Sequence, residues 1–253
     1  MESNKILNVA GYAGRILLES GAEAYRVEET MVKMCESFGV EDAQSFVTTT
    51  GVMMSITHGS QNYAKISRIT KRGTDLHKID LINDLSRNIR SRSLSIDDVH
   101  VELHKIDQEP RYSYHITLIC SALSAFGFAG FFKGTLMDAM CALIIGMLVK
   151  FVSLGMSKNQ VNVFFDNAIS AGVAALLALT AQYFGLLTSL DIVIISSIML
   201  LVPGLAITNA IRDTVAGDYL AGVSRAAEAF LIAIAIAVGI AMVFQMWNMI
   251  GGL

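Results

Sequence analysis

Two stretches of this sequence gather charged and turn-forming residues at spacings that could do chemistry. In the first, GRILLESGAEAYRVEE at residues 14–29, Arg15, Glu19, Glu23 and Arg26 fall at helical intervals around a Ser20-Gly21 break. Ordinary i,i+4 ion pairs, each worth about 0.2–0.5 kcal/mol, would account for such spacing. A polar contact surface turned toward a membrane domain would account for it equally, and spacing leaves both readings open. The second stretch opens on Pro203-Gly204 inside an apolar run and continues through Asn209, Arg212, Asp213, Gly217, Asp218, Gly222, Arg225 and Glu228. A proline within a helix removes a backbone hydrogen bond and clashes with the preceding turn. In a membrane that break is tolerated only against protein or a water-filled cavity, and broken helices recur at transporter substrate sites. Ionisable groups at a membrane edge default to functional roles. The expected chemistry is therefore a substrate pathway or gate built from Pro203, Gly204, Asn209, Arg212, Asp213, Asp218, Arg225 and Glu228. Asp166 and Asn167 add a second polar cluster at the same depth.

Other constellations are weaker. His100 and His104 are four apart, as zinc ligands on a helix can be, but no HExxH and no further ligand stands near them in sequence. A solvated helix face is the better reading, and no metal site is assigned. Ser55, His58 and Ser60 lack the G-x-S-x-G setting of a hydrolase nucleophile and read as a polar hairpin. Three scattered cysteines without CxxC spacing argue against a disulfide framework. There is no Walker A pattern, so no ATP-driven step is encoded, and no cofactor is expected. A net charge of −3 without a basic stripe argues against nucleic acid as a partner.

The elements that must position these residues divide in two. Of the first 114 residues 30 are charged, against 11 of the remaining 139. That fall is expected where a soluble domain meets a membrane domain. Residues 1–114 read as a cytoplasmic α+β domain. Lys5–Ser20, Glu23–Phe38 and Asp75–Arg92 carry helical apolar stripes, with Gly39 as a stop. Phe46–Thr57 and Tyr63–Ile69 read as two antiparallel strands. Ser95 with Asp98 forms a capping signature that favours a helix over an alternating strand through Val99, Val101 and Leu103.

Residues 115–253 read as a five-helix transmembrane domain, with spans near His115–Phe132, Leu136–Leu154, Val163–Leu187, Leu190–Thr208 and Ala226–Trp247. Asp138 and Lys150 can snorkel to opposite headgroup regions. Ala229, Ala233, Ala237 and Ala241, and Gly130 with Gly134, offer small-residue faces for close helix packing. The short loops carry Lys and Arg on one side far more than on the other, which places the N-terminus in the cytoplasm and the C-terminus outside. No signal peptide is read at the N-terminus.

The GRILLESGAEAYRVEE segment and PGLAITNAIRDTVAGDYLAGVSRAAEA, residues 203–229, resemble the two signatures of the threonine/serine exporter (ThrE) family, more closely its YjjP-type subunits, over nearly the whole chain. The resemblance implies export of small polar metabolites across the bacterial cytoplasmic membrane: threonine and serine in fused members, C4-dicarboxylates such as succinate in split systems. It implies a second, smaller membrane subunit of the YjjB type as partner, with a homo-oligomer as the substitute. The motif residues it carries over are Arg15, Glu19, Gly21, Glu23, Arg26, Glu28, Pro203, Gly204, Asp213, Gly217, Asp218, Gly222 and Arg225. The expected protein is thus one subunit of a secondary exporter and not an enzyme. The rival is a membrane-anchored sensor or enzyme whose N-terminal domain is the active part.

Overall fold

Glu2–Glu19 forms α1 because Ile6, Val9, Ala13, Ile16 and Leu17 recur every three or four residues, and all five are buried. The structure, a computed structural model, describes residues 2–58, 61–71, 73–110 and 112–251, without the side chain of His58. The Gly59-Ser60 part of the polar hairpin lies outside those residues. α2 (Ala24–Ser37) buries Val27, Met31 and Met34 on the same core. It ends at Gly39, whose positive φ lets Gly39 N–H and Val40 N–H close back onto Glu36 O and Cys35 O.

Three strands follow as an antiparallel meander, β1 (Asp42–Thr48), β2 (Gly51–His58) and β3 (Gln61–Arg68), in the order β1-β2-β3. The single strand expected over Phe46–Thr57 is in fact two. The chain reverses at Thr49-Thr50, pairing Thr48 with Gly51. Three consecutive threonines hide that turn, because threonine favours strands. Val47, Val52, Met54 and Ile56 face the core, while Phe46, Met53 and Ile66 stand opposite one another in a row on the exposed face. α3 (Leu76–Asn88) is capped by Asp75, which accepts from Lys78 N–H. α4 (Ile96–Gln108) carries the expected capping box, with Ser95 and Asp98 each accepting from the other's backbone N–H.

The first compact unit comprises Met1–Pro110 together with Gly204–Ala227, and the second Arg111–Pro203 with Glu228–Leu253. The second unit holds α5 (Tyr114–Phe131), α6 (Leu136–Lys158), α7 (Val163–Tyr183) and α8 (Leu190–Ile198). α9 (Gly204–Ala216) belongs to the first unit, and α10 (Tyr219–Met249) begins in the first and continues in the second. Among the described residues, α5, α6, α7 and α10 are long and apolar enough to cross a membrane.

The stretch expected as a fourth continuous span, Leu190–Thr208, is divided. α8 stops after nine residues, 199–203 are non-helical, and α9 begins after Pro203. Proline at 203 has no N–H for the carbonyl four residues back and crowds that turn, so the helix ends ahead of it.

Within the second unit alanines make up much of the core, beside Ile145, Val149, Val193 and Ile194. Ala125, Ala129, Ala142, Ala174 and Ala178 are buried among α5–α8, letting the helices approach closely. On α10 the alanine stripe is not the packing face: Ala233, Ala237 and Ala241 are exposed. Ala229, Ile232, Ile236 and Gly239 turn inward instead. Gly239 selects that face, since a Cβ there would collide with the Ala168 carbonyl of α7.

Asp138 does not snorkel either; it is fully buried. One carboxylate oxygen accepts from Thr135 N–H (3.0 Å) and Thr135 O–H (2.8 Å), completing the α6 capping box. The other accepts from Thr188 N–H (2.8 Å) and Ser189 N–H (3.2 Å) just ahead of α8. One carboxylate therefore serves two helix N-termini. Asp138→Ala is expected to lower unfolding free energy by about 2–4 kcal/mol, from several buried donors losing their acceptor. Asp138→Asn should cost less, because its amide oxygen still accepts. Thermal unfolding in detergent checks this, and an unchanged midpoint for Asp138→Ala would show that the 184–189 loop is held by other contacts.

Candidate functional site

α1 ends in a turn that only glycine accommodates well. Gly21 has φ +90°, its N–H bonds Leu18 O, and Ala22 N–H reaches back to Leu17 O. α9 ends the same way, with Gly217 at φ +99° and Asp218 N–H on Asp213 O. Both glycine-bearing motifs are thus helix-terminating turns in the first unit, and they contribute to one polar site.

The turn from Gly21 to Ala24 is gripped residue by residue. Asn209 Nδ2 donates to Gly21 O at 2.8 Å. Arg225 Nη2 donates to Ala22 O at 2.6 Å. Arg212 Nη1 donates to Glu23 Oε1, also at 2.6 Å. Asp213 Oδ1 accepts from Ala24 N–H at 2.9 Å. The last contact matters for α2, whose N-cap residue, Glu23, makes no side-chain cap of its own. Asp213 supplies that cap from α9, with its negative charge at the positive end of the helix. Asp213 is fully buried and Arg225 nearly so, and Arg225 Nε stands 3.0 Å from Asp213 Oδ2 as an ion pair.

The carboxyls around this clasp are tuned apart. Burial pushes the Glu23 carboxyl up, but a bond from its own backbone N–H and the bond from Arg212 outweigh it and hold Glu23 below the usual range. Glu28 goes the other way. Burial raises it, the 2.7 Å bond from Val47 N–H opposes, and the charges of Asp218 and Asp213 raise it further.

The remaining sequence-selected residues lie elsewhere. Arg15 and Glu19 pair on α1 (3.2 Å), and Arg15 also bonds Asp107 of α4 at 2.9 Å. Tyr12 donates to the same Asp107 oxygen, and burial with that bond pushes its hydroxyl up to about 12, so it stays a proton donor. His104 touches the Tyr12 hydroxyl and His100 the Tyr12 ring, so this histidine pair frames a tyrosine. Arg26 is exposed and adds a charge near Glu23. Asp218 directly precedes α10 and accepts from Gly222 N–H. In the second unit, Asp166 accepts from Ser153 O–H and Ser170 O–H, both at 3.0 Å, and Asn167 donates to Val163 O on its own helix. Pro203 and half-buried Glu228 also belong to that unit. Gly204 opens α9.

Sequence reasoning missed Thr49 and Ser224, whose hydroxyls meet at 2.9 Å. It also missed the backbone groups of Ala22 and Ala24, which carry no side-chain signal. Among the described residues no group of three or more His, Cys, Asp or Glu is placed to hold a metal ion.

Two tests follow from the charges. Arg225→Met alone should cost about 3–5 kcal/mol by stranding a buried carboxylate. Adding Asp213→Asn, which keeps the acceptor for Ala24 N–H, should recover part of that loss. If unfolding experiments find the double variant no more stable than Arg225→Met, the pair is not coupled. Glu28→Gln keeps an acceptor for Val47 N–H but removes the charge. Because the folded-state carboxyl sits above its unfolded value, ionised Glu28 weakens the fold at neutral pH. The variant should then be the more stable near pH 7, its advantage vanishing as pH falls through the raised carboxyl range. An advantage independent of pH would refute this.

Comparison with known proteins gives consistent matches. A family profile described as "Putative threonine/serine exporter" matches residues 8–247. A probable succinate transporter subunit, YjjP, of Klebsiella aerogenes is 22% identical over 236 residues, 93% of this chain and 91% of that protein. A probable threonine/serine exporter of Mycobacterium tuberculosis is 21% identical over 95% of this chain but 46% of its own length. A threonine/serine exporter of Corynebacterium glutamicum is likewise 21% identical, over 95% of this chain and 51% of that protein. No solved structure matches.

Proposed function

Because this chain belongs to the threonine/serine exporter family, we propose that it is one subunit of a secondary exporter of small carboxylate-bearing metabolites in the bacterial cytoplasmic membrane. The observation that carries the reading is one of length. The chain spans nearly all of a relative named as a transporter subunit, yet about half of relatives named as exporters. Transporter sites commonly form between two structural repeats, and this chain supplies one half. The other half is a second, smaller membrane protein of the YjjB type, with a second copy of this chain as the substitute. Serine, threonine and succinate share a carboxylate, the group the pathway must accept, and an ion or proton gradient drives the export.

Chain parity supports five crossings with the N-terminus in the cytoplasm and the C-terminus outside. Residues 1–110 and 204–227 fold as one unit, so the chain leaves that unit and returns to it on one side of the membrane. α5, α6 and α7 provide three crossings, and the return needs a fourth. α8 and the non-helical residues after it provide it, sheltered by protein: Val193, Ile194, Ser196 and Ser197 are all buried. α10 is the fifth. The clasp then joins the cytoplasmic unit to the segment entering α10 and acts as the gate's joint, while Asp166 and Asn167 lie at the cytoplasmic end of the pathway. The anchored sensor or enzyme fits less well, since a tethered domain has no need to incorporate 204–227.

Reconstitution tests the reading. Vesicles preloaded with labelled serine, threonine or succinate should release label only when this chain and its partner are both present. Release from vesicles holding this polypeptide alone would overturn the two-subunit assignment. No release of any of the three with both present would overturn the substrate class.

A further inference from the structure

α9 is amphipathic in the wrong sense for a helix in water. The face it turns inward carries Asn209 and Asp213, both buried, with Arg212 at its margin on Glu23. The face it turns outward carries Ile207, Ile211 and Val215, successive at four-residue spacing, with Ile211 61% and Val215 83% exposed. A surface helix of a soluble protein shows the reverse arrangement. Across the Gly217 turn the same character continues, with Tyr219, Leu220 and Val223 each about two-thirds exposed.

We propose that α9 lies along the cytoplasmic surface of the bilayer, its Ile207, Ile211 and Val215 face seated among the outer acyl segments and its polar face holding the clasp. Lipid, rather than a protein, is the occupant because the exposed apolar face does not stop with this segment. On α10, Leu220 and Val223 lie on one side of the helix with Phe230, Ile234, Val238 and Met242, all exposed. They form one unbroken stripe that continues down the membrane-crossing part. α10 has 31 residues, about 46 Å of helix against a hydrocarbon core of about 30 Å, so its first turns belong at headgroup depth. Tyr219, an aromatic with a polar tip, stands at that junction, and the side chain of Arg212 on α9 is 57% exposed, long enough to reach headgroup phosphates. An interfacial helix buries its apolar face about 5–10 Å into the headgroup and acyl boundary. α9 thereby anchors the Gly21–Ala24 turn to the membrane surface by way of Asn209, Arg212 and Asp213.

This inference rests on the membrane orientation proposed above but not on transport, so its test needs no export activity. The chain's single tryptophan is removed by Trp247→Phe, and Ile211→Trp or Val215→Trp is introduced into the full-length protein in lipid vesicles. Both positions are exposed, so folding should survive at one or both. The fluorescence of each variant should be strongly quenched by lipids brominated near the headgroup end of the acyl chain, and little by aqueous iodide. Val101→Trp, on the exposed side of α4, should show the opposite pattern. If iodide quenches the Ile211→Trp and Val215→Trp proteins to the Val101→Trp level, and brominated lipid not at all, α9 lies in water and the proposal is overturned. Protection from both quenchers would overturn it as well, by showing that protein covers this face.

Discussion

A carboxylate and a guanidinium withdrawn from water, Asp213 and Arg225, hold the first unit in its observed form. Neither charge is stable in the interior alone. Each is kept there by the other and by a backbone group that needs it: Ala24 N–H for Asp213 and Ala22 O for Arg225. The arrangement propagates. α2 begins where Asp213 caps it, and its stripe of Val27, Met31 and Met34 then meets the core shared with α1 and the sheet. Farther along the same helix Glu28 reaches Val47 N–H and fixes β1. Such pairs add little net stability over apolar substitutes of equal volume; what they contribute is a single permitted register.

The second unit obeys a different constraint. Its helices meet largely through alanine and glycine, because apolar lipid offers no hydrophobic reward for association and close contact must supply the attraction. Two of its acidic side chains are well supplied with donors. Asp138 satisfies four donors, and Asp166 takes two serine hydroxyls. α8 is the exception to regularity, a nine-residue helix ahead of Pro203.

Much of this was legible locally. Ser95 with Asp98 announced α4, Gly39 closed α2, and the long apolar runs of α5, α6 and α7 stood out within a few residues of their ends, while that of α10 was read seven residues short of its start at Tyr219. Pattern failed where several faces or partners were equally good. Thr48-Thr49-Thr50 favours strand at every position, so the reversal between β1 and β2 left no glycine or proline mark before Gly51. Four alanines on α10 formed a packing stripe on paper, yet Gly239 decided which side met α7. Pro203 flagged the break, but α8 ended well before it. The clasp lay beyond any local window, since its contacts join residues 188 to 203 positions apart and two of its acceptors are main-chain carbonyls. The resemblance marked both motifs; that they grip each other is visible only in three dimensions.

The discontinuity of the first unit bears on how the protein is made. When residue 110 leaves the ribosome, the turn at Gly21–Ala24 still lacks every side chain that will hold it. About a hundred further residues, including the helices destined for lipid, must be synthesised and inserted before Asp213 and Arg225 arrive. At about 5–20 residues per second that interval lasts on the order of 5–20 s. The nascent domain therefore waits with the start of α2 uncapped until the segment beyond those helices has been made. The first unit is thus finished only after the hydrophobic helices that interrupt it in sequence, an order of assembly written into the order of the chain.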